Sequence, residues 1–323
     1  MCRFIDLFAG VGGFHLAFNS EKCVFASEID INAIETYKLN FPDTILEGDI
    51  TKIDEKNIPE HDIICAGFPC QPFSVAGYRK GFEDARGALF FDIVRIIKYH
   101  KPKAVFLENV KNLENHDNGN TLKTIVDILK DLNYYVLYKV LNSAEYSNIP
   151  QNRERIFIVA FNKEKVFSYL DFKFPDPIKL TKTIHDFIES EKQDDIYYYN
   201  STKYYEIFNE NIKNKNTVYQ WRRHYIRENK SNLCPTLTAN MGQGGHNVPI
   251  IRDDYGIRKL TPRECFNFQG YPKNFKLPNQ SNSKLYKQAG NSIVYPLVKK
   301  IADNILKVIN NINMSEKTNA EFF

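Results

Sequence analysis

Long apolar runs are missing from this chain: no uninterrupted stretch approaches the roughly 20 residues that a membrane-spanning helix needs. It also lacks a basic opening followed by a small-residue cleavage site, since Met1 to Phe8 enters strand-like sequence at once. A cytoplasmic location and no membrane contact are therefore expected. The six cysteines, Cys2, Cys23, Cys65, Cys70, Cys234 and Cys265, form no CxxC pair and no Cys/His zinc spacing. A chain of 323 residues needs no disulfide staple, so buried reduced thiols are expected for all but Cys70, and no metal site. Charge of one sign is in little excess. The 43 Lys and Arg against 39 Asp and Glu leave +4, which permits a nucleic-acid partner without demanding one. Internal repeats and low-complexity tracts are absent as well.

What is present is alternation. Residues 3–8, 23–27, 62–66, 103–108, 135–141 and 155–161 read as buried strands, and 30–40, 88–99 and 120–132 carry helical periodicity. Phe90, Ile93, Val94 and Ile97, for instance, recur at i, i+3, i+4 and i+7. This pattern predicts an α/β fold with a doubly wound, mainly parallel sheet. Two segments break the rhythm: a loop at 67–87 and a polar, Tyr-rich stretch over 162–256, with Pro175 and Pro177 at its boundary. Periodicity returns at 261–268 and in a final helix over 291–310, which is expected to pack back on the large domain. Residues 1–174, 175–256 and 257–323 are thus predicted as a large domain, an inserted smaller domain and a returning segment.

Phe8-Ala9-Gly10-Val11-Gly12-Gly13-Phe14 follows the first strand and opens a helix, a place where glycines allow close backbone approach to a ligand. Glu28 ends the second strand, positioned for ribose hydroxyls, and Asp49, before Ile50, follows a third short apolar run. Three such features at successive strand ends predict an adenosine-containing ligand, either a nicotinamide dinucleotide or S-adenosylmethionine.

Gly67-Phe68-Pro69-Cys70-Gln71-Pro72-Phe73-Ser74 leaves the strand 62–66 at the carboxyl edge of the sheet. Two prolines hold the Cys70 thiol on a loop rather than in the core, and a thiolate is already a strong nucleophile. Glu108 closes the next strand, so it projects at the same edge, with Asn109 bracing it. Gln151-Asn152-Arg153-Glu154-Arg155 leads into the strand 155–161, and alternation points Arg153 and Arg155 to one side. Two cations there suit an anionic intermediate, a phosphate or a catalytic carboxylate. Within the insertion, Lys213, Lys215, Arg222, Arg223, Arg227 and Lys230 interleave with Tyr219, Trp221, His224 and Tyr225, a mixture suited to phosphates and grooves.

FAGVGGF, GFPCQPFS, ENV, QNRER, RKLTPRECFNFQGYP at 258–272 and QAGNS at 288–292 occur in the order found in cytosine-C5 DNA methyltransferases, which the chain resembles over residues 3–161 and 257–309. The resemblance is to the bacterial restriction–modification type. It implies the S-adenosylmethionine-dependent methyltransferase fold, with the insertion as target-recognition domain. It further implies S-adenosylmethionine as cofactor, held around Phe8, Ala9, Gly10, Gly12, Gly13, Glu28, Ile29, Asp49, Ile50, Pro69, Leu89, Asn291 and Ser292. Ile29 stands where family members often carry an aromatic residue against the adenine.

By the same resemblance Cys70 adds to C6 of cytosine, Glu108 supports N3, and Arg153 and Arg155 orient Glu108 and the base. The base must leave the stacked duplex for this to happen. The loop 71–87 would close over it, with Gln71 and Ser74 near the vacated space and Arg79, Lys80 and Arg86 at phosphates. Pro235-Thr236-Leu237 resembles the Thr-Leu stretch of family recognition domains. The glycines after it would let backbone enter the major groove, where Arg222, Arg223 and Gln243 would read base edges. Double-stranded DNA is the implied partner of a monomer, with a cognate endonuclease acting on the same site without a stable complex. A tRNA cytosine-C5 methyltransferase is the alternative. A silent DNA-binding relative and a nicotinamide oxidoreductase are the further readings, and they leave Cys70 or the insertion without a role.

Overall fold

Side-chain alternation along the strands puts apolar residues on both sides, the signature of a sheet buried on both faces. In β1 (Arg3–Leu7), Phe4 faces one hydrophobic cluster while Ile5 and Leu7 face another. The computed structural model, which describes residues 1–69, 89–222, 225–243 and 248–310, arranges these strands in a seven-stranded sheet. After β1 come β2 (Lys22–Ser27), β3 (Leu46–Glu47), β4 (Ile63–Gly67), β5 (Ala104–Val110), β6 (Tyr134–Asn142) and β8 (Glu154–Asn162). Their order is β3-β2-β1-β4-β5-β8-β6. All pairs are parallel except those made by β8, which runs against both β5 and β6.

Helices cover both faces. Phe90–His100 and Asn120–Asp131 bury Phe90, Ile93, Ile97, Leu122, Ile125 and Leu129 on one. Gly13–Ala17 and Tyr295–Ile309 pack on the other, so the final helix does return to the large domain. Among the described residues, no helix is long and apolar enough to cross a membrane.

The final helical segment differs from the expected 291–310. One helix, Asn282–Asn291, ends where the motif QAGNS begins to turn, Ser292 and Val294 are extended, and a new helix starts at Tyr295. Pro296 explains the restart, because proline is tolerated in a first turn, where its missing N–H has no partner to lose.

The insertion carries its own four-stranded sheet, ordered β10-β9-β12-β13. Its strands are β9 (Tyr219–Arg222), β10 (Tyr225–Glu228), β12 (Ile250–Arg252) and β13 (Ile257–Lys259), so it runs past the expected boundary at residue 256. Two short strands, β7 (Gln151–Asn152) and β11 (Cys234–Pro235), pair in parallel and stitch this lobe to the large domain. Leu237, Met241 and Val248 join the same apolar cluster as Phe4 and Ile301. The two lobes therefore share a core.

Candidate active site

The carboxyl ends of β1, β2, β4 and β5 open on one cavity of about 390 Å³. Phe8, directly after β1, adopts φ 55°, a left-handed conformation that costs a non-glycine residue energy and turns the chain sharply. Gly10 follows at φ 56°, and a Cβ there would meet nothing within 4 Å, so its backbone faces open space. The Glu28 carboxylate holds this turn in place. It accepts from Gly10 N at 2.7 Å and from Ile29 N and Asp30 N at 2.8 Å each.

Phe8, Ala9, Gly10, Gly13, Glu28, Ile29, Pro69, Leu89, Asn291 and Ser292, all expected around a cofactor, line the cavity. Ile29 is 70% exposed at its mouth. Gly12, Asp49 and Ile50 do not line it. Gly12 adopts φ 88°, and the rings of Phe41 and Tyr37 occupy the place a Cβ would take. Asp49 caps a short helical turn by accepting from Thr51 N at 3.1 Å, and Ile50 is buried in the core.

Register brings the catalytic edge together. Gly67, three residues before Cys70, lies opposite Glu108 in the β4–β5 pair. Glu108 Oε1 stands 3.0 Å from Arg155 Nε, with both side chains largely buried. Asn109 was expected to brace Glu108; instead its Nδ2 donates to Phe68 O at 2.9 Å and fixes the chain entering the Pro-Cys loop. Cys70 itself, with Gln71, Ser74, Arg79, Lys80 and Arg86, lies outside the described residues, as does Arg223.

The two arginines divide their work. Arg153 lines the cavity near Arg155 but makes no ion pair with Glu108 among the described residues. Its Nη1 donates to Leu237 O at 2.7 Å, and its Nη2 to Gly290 O at 3.1 Å and Ser292 O at 2.6 Å. The side chain is buried, and burial pulls its pKa well down, with the Arg155 charge adding to the effect. Three carbonyl oxygens replace the lost hydration. Among the described residues Arg155 carries the expected contact to Glu108, and Arg153 staples the small lobe to the QAGNS turn.

Thr236 is likewise engaged: its Oγ1 donates to Asn152 O at 2.6 Å. Gly242, one of the glycines after Leu237 expected to let backbone enter the major groove, adopts φ 75° with the ring of Tyr286 where a Cβ would stand. Arg222 and Gln243 are exposed. Sequence reasoning did not single out Tyr271, Gln288 or Gly290 as cavity residues, although all three fall inside the 258–272 and 288–292 motifs. Asp6 was missed too. It sits fully buried below the glycine turn, accepting from His15 N at 3.3 Å, and burial raises its pKa well above the usual carboxylate range. A single acid inside an apolar strand was the only sequence signal for it.

A glycine turn pinned by an acid at the next strand end, beside a largely buried Glu–Arg pair, marks the carboxyl edge of the sheet as the place where an α/β fold of this kind opens a binding cavity. The chain matches the C-5 cytosine-specific DNA methylase family over residues 2–307 and belongs to it. It is 53% identical over 314 residues to type II methyltransferase M.Bsp6I of Bacillus sp. (strain RFL6), covering 95% of this chain and 99% of that one. Type II methyltransferase M.HhaI of Haemophilus parahaemolyticus is 42% identical over 330 residues, covering 95% of each. A crystal structure of a Spodoptera frugiperda DNMT2 mutant superposes with a TM-score of 0.73 at 20% identity, covering 95% of this chain and 100% of that one; at this identity the likeness shows the α/β fold alone. The chain is a DNA (cytosine-5-) methyltransferase.

Proposed function

We propose that the protein methylates C5 of a flipped cytosine in a specific duplex sequence, as the modification half of a restriction–modification system, with S-adenosylmethionine as methyl donor. The observation that carries the catalytic part is the Glu108–Arg155 pair at 3.0 Å, one strand over from the Pro-Cys loop. The type II relatives favour DNA over tRNA as substrate.

The cavity suits the cofactor. An ionised carboxylate offers about four acceptor sites, and three on Glu28 are taken by amides, which leaves capacity for a ribose hydroxyl. Ile29 at the mouth would lie against the adenine, and Gly10, Pro69, Leu89 and Asn291 would hold the remainder, while Asp49 and Ile50 lie outside the cavity lining. The bound cofactor supplies an electrophilic methyl group on a sulfonium.

The chain's own residues prepare C5 to accept it. The Cys70 thiolate bonds to C6, and the ring electrons move towards C5 and N3, where Glu108 hydrogen-bonds and limits charge build-up. Arg155 keeps Glu108 in position. After methylation C5 loses its proton to a base, the electron pair re-forms the C5–C6 double bond, and the thiolate leaves. Arg222, Arg223, Thr236 and Gln243 serve at the DNA side, with Gln71 and Ser74 by the flipped base and Arg79, Lys80 and Arg86 at phosphates. The enzyme works as a cytoplasmic monomer, its cognate endonuclease acting on the same site without a stable complex.

A duplex carrying 5-fluorocytosine at the target tests the covalent step, because fluorine cannot leave as a proton. Incubation with S-adenosylmethionine is expected to give a denaturation-resistant complex whose peptide map places the DNA on Cys70, and Cys70→Ser to give none. A normally methylated site that forms no such complex overturns the mechanism.

A further inference from the structure

The lining of the cavity comes from distant parts of the chain. Glu28, Ile29 and Asp30 belong to the end of β2 and the entry to the helix Ile31–Asn40, whereas Gln288, Asn291 and Ser292 belong to the end of the helix Asn282–Asn291 and the turn after it. Hydrogen bonds join the two. Asp30 caps the first helix, its Oδ1 accepting from Asn32 N at 3.0 Å, and its Oδ2 takes Lys287 Nζ at 2.7 Å. Asn32, Glu35 and Thr36 then fall at i, i+3 and i+4, one face of that helix. Thr36 Oγ1 donates to Gln288 Oε1 at 2.6 Å, with both side chains buried. Gln280 completes the seam. Its Oε1 accepts from Gln288 Nε2 at 2.7 Å, and its Nε2 donates to Glu35 Oε2 at 2.6 Å and to Asn32 O at 3.1 Å.

A second set of bonds carries the seam to the glycine turn. Asp30 N donates to Glu28 Oε1 at 2.8 Å, and Glu28 Oε2 receives Gly10 N at 2.7 Å. Lys287, Asp30, Glu28 and Gly10 therefore form one row of bonds, from the helix Asn282–Asn291 to the turn after β1. Among the described residues, neither Lys287 nor Gln280 is part of the cavity lining.

We infer that Lys287 and Gln280 are positioning residues for the cofactor: they clasp the rim that carries Glu28 to the rim that carries Asn291 and slow the escape of bound S-adenosylmethionine. The inference rests on the proposed use of that cofactor. A site whose halves are held at their working separation before the ligand arrives loses less binding free energy in ordering them. The two residues differ in weight. The Lys287 and Asp30 side chains are 43% and 23% exposed, so water screens their attraction. Gln288 is enclosed, and without the Gln280 amide its Nε2 would lose its acceptor inside the protein.

The test begins with Lys287→Met, which keeps much of the side chain's length and removes its charge. Calorimetric titration of the DNA-free, full-length enzyme with S-adenosylmethionine is expected to show binding weakened about two- to fivefold, with faster dissociation. Lys287→Arg is expected to regain most of that loss, and Gln280→Leu to weaken binding about tenfold. Hydrogen exchange on the cofactor-free enzyme reads the clasp without turnover: the amides of Ile29, Asp30 and Asn32 are expected to exchange faster in Lys287→Met than in wild type. In duplex methylation the same variant is expected to raise KM for the cofactor and leave kcat at its saturation unchanged. Wild-type affinity and exchange in Lys287→Met would overturn the inference, as would a loss of kcat with KM unmoved. A wild-type enzyme that binds no S-adenosylmethionine would instead defeat the underlying reading of the cofactor.

Discussion

Cys23, Cys65, Cys234 and Cys265 show what this fold does to a thiol it encloses: burial pushes all four up, Cys23 to about 12. Burial disfavours the thiolate at each of them; Cys70, flanked in sequence by Pro69 and Pro72, lies outside the described residues. Charge placement is equally residue-specific. Arg153 and Arg155 are two positions apart and were read as one functional pair, yet one holds a carboxylate and the other three carbonyls. Arg153→Ala would leave those oxygens buried without a donor, at about 1–3 kcal/mol each. The variant is expected to unfold at a lower urea concentration, by at least about 3 kcal/mol of stability. Arg155→Ala is expected to lose activity with a smaller change in midpoint. Equal midpoints for Arg153→Ala and wild type would contradict the staple.

At the scale of elements, the strands and the sheet-covering helices were legible because each carries a periodic apolar pattern that local sequence displays directly. The break between Asn282–Asn291 and Tyr295–Ile309 was not, although Pro296 marked it. A helical reading that spans a proline in a first turn joins two helices into one. How the helix Asn282–Asn291 meets the small lobe depends on Gly290, where a Cβ would collide with the Thr238 carbonyl. Gly290→Ala is expected to push the 236–239 segment off this helix, weakening duplex binding about tenfold or more and costing on the order of 1–3 kcal/mol of stability. Fluorescence anisotropy with a labelled duplex and thermal melting check both. Wild-type behaviour in the two assays would show that the contact yields freely.

For the molecule as a whole, one buried and one half-buried histidine set a pH limit. His15, stacked on Phe41, and His61, at the entrance to β4, are each held down to about 4 by burial. An unfolded chain titrates its histidines near 6.5, so between about 6.5 and 4 it binds more protons than the folded one. Stability is therefore unaffected above about pH 6.5 and falls as pH drops through that window, by about 3 kcal/mol from His61 alone. Urea midpoints measured across that range are expected to decline for wild type and to decline less steeply for His61→Gln. Parallel curves would remove His61 from the account.

The order of motifs, the strand–helix alternation and the placing of Glu28, Cys70 and Glu108 after strands belong to the sequence by itself, because each depends only on neighbours a few residues away. Arg153 reaching Leu237, Gly290 and Ser292, and Thr236 reaching Asn152, were decided by tertiary structure alone. So was the separation of Gln220, Arg222 and Arg227 from Trp221 onto opposite faces of the β9–β10 hairpin. A side chain's partner across 80 or more residues is chosen by which carbonyls and rings the packed core leaves within reach, and no local period records that choice.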